Sequence, residues 1–226
     1  MRAKLPTTYG RTEGAMTQDR RQFLIRMGLG ASALAAAGTL LAHRAHGASA
    51  MLDDLVLGQA DAPVEVIEYA SLTCSHCANF HNTTYEAFKE RYVKTGKVRF
   101  VYRDFPFDAG GLRAAMLARC GGPAKRESFL KVLFAQQKVW TQASTIAELD
   151  ANLLKIARLG GISEAEFTAC MADKMLEEAV LKERLGGEQE FGVSSTPTFI
   201  IDGKKYAGDR PIEEMAKLID PLLPDS

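Results

Sequence analysis

Two cysteines stand three positions apart in the run Glu68-Tyr-Ala-Ser-Leu-Thr-Cys74-Ser-His-Cys77. A β-rich pattern leads into the pair and a helical pattern leads out. At a helix start, that spacing puts both sulfurs on one face, close enough to close a small disulfide ring. Cys74 falls at or just before the first turn, where unpaired backbone N–H groups and the positive end of the helix dipole favour a thiolate. A thiolate attacks disulfides and a thiol does not. Cys77, one turn inside, is then the resolving thiol that ejects a mixed-disulfide partner. His76, when protonated, adds a second positive neighbour. Each unit of pKa depression is worth about 1.4 kcal/mol of preference for the thiolate. A stabilised reduced form makes the disulfide a stronger oxidant.

The same pair has other readings. A Cys-x-x-Cys run can be half of a zinc site, but four ligands would need a second close pair, and Cys120 and Cys170 stand alone. Two inert core cysteines would have no reason to sit between a strand and a helix start. The redox reading is preferred. It requires no metal and no cofactor, because the disulfide itself carries the electrons.

The elements that must position these sulfurs follow from periodicity. Leu52 to Leu57 suits a short first strand, and Gly58 to Pro63 a turn-rich connection. Val64-Glu-Val-Ile-Glu-Tyr69 alternates and is expected to be a central strand. Glu68 is its odd residue. It is either a solvated side chain or a buried acid whose raised pKa lets it relay protons to Cys77. Cys77 to Val93 reads as a helix with Phe80, Tyr85, Phe88 and Tyr92 on its apolar surface. Val98 to Arg103 is a second strong strand.

From Leu112 to about Glu190 the pattern is helical. Expected pieces are Leu112–Cys120, Glu127–Trp140, Thr145–Leu159, a helix opened by the capping-box run Ser163-Glu-Ala-Glu166, and Lys174–Glu190 with Gly186-Gly187 as a candidate interruption. Val193-Ser-Ser-Thr196-Pro197-Thr-Phe-Ile-Ile201 returns to strand. Asp202-Gly203 is a hairpin turn, Lys204-Lys-Tyr206 its partner strand, and Pro211–Leu218 a closing helix. The order is strand, strand, helix, strand, helical block, hairpin, helix. This is a thioredoxin-like α/β core, residues 51–110 and 191–226, with an all-helical domain inserted at residues 111–190.

Composition agrees with such a domain. The chain has 226 residues, 46% apolar and 25% charged, enough for a real core. Its zero net charge is an average of unequal parts. Residues 1–50 carry seven Lys/Arg against two acids, leaving 21 basic and 26 acidic residues from Met51 onward, a net charge of about −5. Nothing suggests a nucleic-acid footprint.

Residues 1–50 read as a targeting segment expected to be removed. Asp19-Arg20-Arg21-Gln22-Phe23-Leu24 resembles a twin-arginine export signal. Met27 to Ala42 follows as a weakly apolar stretch, short for a membrane span. Ala48-Ser49-Ala50 supplies small residues for cleavage. An uncleaved N-terminal anchor is the alternative. The residues before Met16 fit neither signal nor domain, which makes Met16 a candidate start. The expected location is the periplasm, the bacterial envelope compartment in which disulfides persist.

With Ala62-Pro63, Glu68, Cys74-Ser75-His76-Cys77, Phe105-Pro106 and Thr196-Pro197-Thr198 on one chain, the sequence resembles the DsbA-like family of thiol:disulfide oxidoreductases. The resemblance spans residues 52–220. It implies that Cys74 is the exposed nucleophile, Cys77 the buried resolving cysteine, His76 the residue that stabilises the thiolate, and Glu68 the buried acid. Pro197 would be the cis-proline facing the disulfide, and Thr196 would pair through its backbone with an extended substrate. Read without the resemblance, Thr196-Pro197 could equally be an ordinary trans turn.

The chain departs from the best-known members in carrying Ser-His where they have Pro-His, and Thr rather than Val before the proline. His81 stands where some members have a second acid and is read as a half-exposed helix residue rather than a proton shuttle. Cys120 and Cys170 are candidates for one structural bridge, two separate buried thiols being the alternative. Closing a loop of about fifty residues would contribute roughly 4 kcal/mol.

The family implies a dithiol oxidase, acting on unfolded exported proteins with free thiols and reoxidised by a quinone-linked membrane partner of the DsbB type. The rival reading is a disulfide isomerase or reductase kept reduced by a membrane electron donor. Envelope isomerases usually need an added dimerisation or trimerisation segment. Little room exists for one between Met51 and the first core strand, so a monomer is expected.

Overall fold

The structure, a computed structural model, describes residues 53–224. The twin-arginine motif, the apolar stretch after it, the cleavage pattern and the Met16 start lie outside the described residues.

Five strands form one sheet: β1 (Leu55–Leu57), β2 (Val64–Ala70), β3 (Val98–Asp104), β4 (Thr198–Ile201) and β5 (Lys204–Ala207). Their spatial order is β1-β3-β2-β4-β5. β2 runs parallel to β3 and antiparallel to β4, so it lies at the centre. β1 and β5 pair antiparallel at the two edges.

The alternation of β2 in sequence is only partly a pattern of burial. Of its seven residues, Glu65 alone is exposed, because helices cover both faces, as is usual where parallel strands pair. Val64, Val66, Glu68 and Ala70 share one face, by the two-residue period of a strand. Val64, Val66 and Ala70 belong to the larger core with Cys77, Phe80, Phe88 and Phe100. Ile67 and Tyr69 face the other way, into a smaller core with Val101, Phe105, Val193 and Ile200. Glu68 is therefore carried into the main core by its register.

The helix expected from Cys77 to Val93 is three pieces: α1 (Ser75–Thr83), α2 (Tyr85–Phe88) and a π-helical turn (Lys89–Val93). Between β3 and β4 the chain is helical: α3 (Ala109–Cys120), α4 (Pro123–Ala135), α5 (Gln137–Trp140), α6 (Ile146–Leu159), α7 (Glu164–Met171) and α8 (Lys174–Phe191). The expected helix over Glu127–Trp140 starts earlier, with Pro123 in its first turn, and breaks at Gln136. Local signals set several starts. Asp108 accepts from Gly111 N, Thr145 from Glu148 N, and Ser163 with Glu166 completes a capping box.

Gly186-Gly187 does not interrupt α8. A Cβ on Gly187 would lie 2.5 Å from Tyr69 Cε1, so the glycine lets the helix backbone lie against the sheet. A closing helix, α9 (Ile212–Ile219), buries Met215, Ala216 and Ile219. In the β4–β5 hairpin, Asp202 and Gly203 both have positive φ, 48° and 76°, as a tight hairpin turn requires.

A buried ionic cluster ties the helices to the sheet. Asp104, at the end of β3, accepts from Arg119 of α3 at 2.8 Å and from Arg126 of α4 at 3.0 Å. Arg119 also donates to Glu183 of α8 at 2.7 Å. Among the described residues, no helix is long and apolar enough to cross a membrane.

Candidate functional site

Cys74 is the N-cap of α1, with extended backbone (φ −78°, ψ 122°). The loop before it is pinned from two sides. Thr73 Oγ1 donates to Asp108 Oδ2 at 2.9 Å, and Asp108 also caps α3. From the helical segment, the buried side chain of Gln137 donates through Nε2 to Leu72 O at 2.8 Å and to Cys74 O at 2.9 Å. Neither Gln137 nor Asp108 stood out in the sequence, since their significance lies in long-range contact.

Cys74 and Cys77 are both free thiols, the first partly exposed and the second buried. Their proton affinities are driven apart. The Cys74 thiol is lowered to about 5: the Cys77 thiol bonds it, burial opposes, and the Thr196 side chain and the backbone N–H groups of Cys77 and His76 assist. Cys77 is pushed well up, first by burial, then by its bond to Cys74 and the negative charge of Glu68. At neutral pH the pair is thus an accessible thiolate hydrogen-bonded by a buried thiol.

His76 is exposed, and what it presents to Cys74 is its backbone N–H. The sequence-based expectation assigned the stabilising role to its imidazole. In the structure the Cys77 thiol contributes most, and the N–H groups of Cys77 and His76 at the helix start add to it.

The Thr196–Pro197 peptide is cis. Thr196 lies beside both sulfurs: Cys74 Sγ is 3.2 Å from Thr196 O, and the Thr196 side chain acts on both thiols. The Thr196 hydroxyl oxygen is buried without a hydrogen-bond partner of its own, and the same side chain lowers the pKa of Cys74 and of Cys77. An otherwise idle hydroxyl is thus available to whichever sulfur carries charge.

Glu68 is fully buried. It pairs with His81 on α1, whose Nε2 lies 2.9 Å from Oε2 and 3.2 Å from Oε1. The reading of His81 as half-exposed is corrected: its side chain is 4% exposed. One turn beyond Cys77, it turns inward onto the face of α1 that meets β2.

Cys120 and Cys170 are bridged, with Cα atoms 6.1 Å apart, joining the end of α3 to α7. The structure therefore brings Cys74, Cys77, Glu68, Thr196 and Pro197 to one place and sets this second cysteine pair within the helical segment.

A thioredoxin fold whose active helix begins at a low-pKa cysteine, with a buried cysteine one turn inside and a cis-proline loop against both, defines the thiol–disulfide exchange proteins as a class. The comparisons agree. A family model described as Thioredoxin matches residues 51–221. Two rickettsial proteins named as inferred protein-disulfide oxidoreductases are similar. That of Rickettsia typhi is 34% identical over 76% of this chain and 63% of its own length, that of Rickettsia bellii 32% identical over 74% and 68%. The chain thus spans only about two thirds of these relatives' length. The crystal structure of Wolbachia pipientis α-DsbA1 superposes with a TM-score of 0.69 at 32% identity, covering 75% of this chain and 90% of that one. The chain belongs to the thioredoxin family, in its DsbA-like group.

Proposed function

We propose that this chain is an exported dithiol oxidase that introduces disulfides into other exported proteins through a Cys74–Cys77 disulfide. The observation that carries the reading is the asymmetry of the pair: an accessible Cys74 with its thiol lowered to about 5, bonded by a buried Cys77. A reduced form stabilised in this way gives its electrons up reluctantly, so the disulfide form is a strong oxidant.

In the forward reaction a substrate thiolate attacks Cys74 Sγ, and Cys77 leaves as a thiolate and takes a proton. A second substrate thiolate then attacks its own sulfur in the mixed disulfide, and Cys74 leaves as a thiolate. The substrate dithiol loses two electrons and two protons; one proton remains on Cys77 and the other goes to solvent. Glu68 acts near Cys77, and Thr196 hydrogen-bonds the charged sulfur while its backbone receives an extended substrate chain. The Cys120–Cys170 bridge serves as a structural staple. Substrates would be unfolded exported proteins with free thiols, and a quinone-linked DsbB-type membrane protein would restore the disulfide. The site of action would be the periplasm, reached through the twin-arginine-type signal, and the working form would be a monomer.

The test is to acid-quench cells, alkylate free thiols and read the mass of the protein. A Cys74–Cys77 pair found mostly oxidised supports the cycle. A mostly reduced pair overturns the oxidase direction in favour of an isomerase or reductase. Substrate oxidation that survives Cys74→Ser overturns both.

A further inference from the structure

The Glu68–His81 pair invites a question that Glu68 alone does not. Both side chains are almost fully enclosed, 0% and 4% exposed. One ring nitrogen, Nε2, faces both carboxylate oxygens, at 2.9 and 3.2 Å. The imidazole is clamped flat on Phe134 of α4, with ring centres 4.1 Å apart and planes 14° from parallel. Tyr85 of α2 lies at 4.6 Å and the Tyr102 edge of β3 at 5.9 Å. The ring therefore has little freedom to turn away from Glu68.

The groups facing this ring from each packed element leave Glu68 as its immediate charge partner. From α2, Tyr85 presents a hydroxyl that is itself bonded to Glu127 of α4, at 3.3 Å, and Glu127 is held by Lys89 at 2.6 Å. From β3, Tyr102 is buried with an unpartnered hydroxyl. Beyond it Arg126 lies 5.9 Å from the Tyr102 ring centre, bonded to Asp104. From α1 itself comes Cys77, one turn earlier, on which the negative charge of Glu68 acts.

We infer that His81 is a positioning residue for the redox couple: it fixes the Glu68 carboxylate and, by holding or releasing one proton, sets the net charge that Cys77 faces. With an imidazolium the pair is neutral; with a neutral imidazole it carries one negative charge. In both cases Nε2 keeps its hydrogen toward the carboxylate, and the proton that comes and goes is on Nδ1. Coupling runs both ways, as linkage requires. Reduction creates a thiolate at Cys74 and a thiol at Cys77, which draws the proton onto His81; oxidation removes that charge and lets it go. The proton is one that the substrate dithiol would otherwise lose to solvent, so the balance of two electrons and two protons is unchanged. Acidification through this titration favours the reduced form and makes the protein more oxidising.

This role presupposes the redox couple proposed above, but not its direction. The experiment is carried out on the full chain. Histidine ring signals are followed by NMR against pH in the disulfide and dithiol forms, with His81→Gln assigning the resonance. Glutathione equilibrium potentials are measured over the same range for both proteins. His81 is expected to titrate about half a pH unit or more higher in the dithiol form. That is about a threefold change in the redox equilibrium constant, or roughly 15 mV across the titration. His81→Gln, which keeps a donor toward Glu68 but takes no proton, should lose this step.

Equal His81 titration in both redox forms, or superimposable potential–pH curves for wild type and variant, overturns the inference while leaving the redox couple standing. A Cys74–Cys77 pair with no reversible equilibrium with glutathione overturns both. If His81→Gln does not fold, the wild-type titrations decide alone.

Discussion

Replacing Gln137 by leucine removes two hydrogen bonds while nearly conserving volume. The lost donors serve Leu72 O at 2.8 Å and Cys74 O at 2.9 Å. Cys74 O keeps its bond from Ala78 N at 3.1 Å, but the carbonyl of the buried Leu72 loses its partner. An orphaned buried carbonyl costs about 1–3 kcal/mol, and a lost neutral hydrogen bond about 1 kcal/mol. The sum expected for Gln137→Leu is therefore about 3 kcal/mol. For a domain of this size that lowers the melting temperature by roughly 6–12 °C. Thermal and urea unfolding of the disulfide form measure it directly. Gln137→Glu provides the control: its carboxylate would face two carbonyl oxygens, so the loss should be larger at pH 7. It should shrink in acid, where the carboxyl regains a donor. An unchanged urea midpoint in Gln137→Leu, or a Gln137→Glu loss that does not vary with pH, would refute the idea that this amide clamps the start of α1.

Three other outcomes are expected. Thr196→Val should raise the Cys74 pKa from about 5 by roughly one unit, the loss of one hydrogen bond to a charged acceptor; thiolate absorbance against pH reads it, and no change would mean the hydroxyl does not reach the sulfur. Because folding lowers the Cys74 pKa, its contribution to the stability of the dithiol form is full above the ordinary thiol value near 9. It is lost as pH falls through about 5. Urea midpoints of the dithiol form should thus converge on those of a Cys74→Ala variant in acid. Gly186→Ala, where nothing lies within 4 Å of the added carbon, should stabilise by about 0.5–1 kcal/mol. Gly187→Ala should destabilise by about 1–3 kcal/mol, since its Cβ would meet Tyr69 at 2.5 Å; equal effects from the two would refute the close approach of α8 to the sheet.

Much of this protein is legible in the one-dimensional chain because its signals are local. Cys74 and Cys77 are near neighbours in sequence, and a strand-to-helix transition around them is written in side-chain periodicity. The capping residues Thr145 and Ser163, the Asp202-Gly203 turn and the order of strands also depend on neighbouring residues alone. Glu68 could be located but not placed: whether it faced water depended on what covered β2. Its face is the one with Val64 and Val66, against α1, and only the packed sheet shows that both faces are closed.

Tertiary structure decided the rest. His81 reads from sequence as a half-exposed helix residue, yet it meets Glu68 thirteen positions earlier. Gln137 and Asp108 reach the Cys74 loop across 63 and 35 positions of chain. Asp104, Arg119, Arg126 and Glu183 look like ordinary charges until they meet inside the fold. The sequence by itself determined the class of chemistry, since two thiols at a helix start need only local geometry. How strongly each holds its proton is set partly by the pair itself and the helix start, and partly by burial, Glu68 and Thr196, because charge and burial act through space rather than along the backbone.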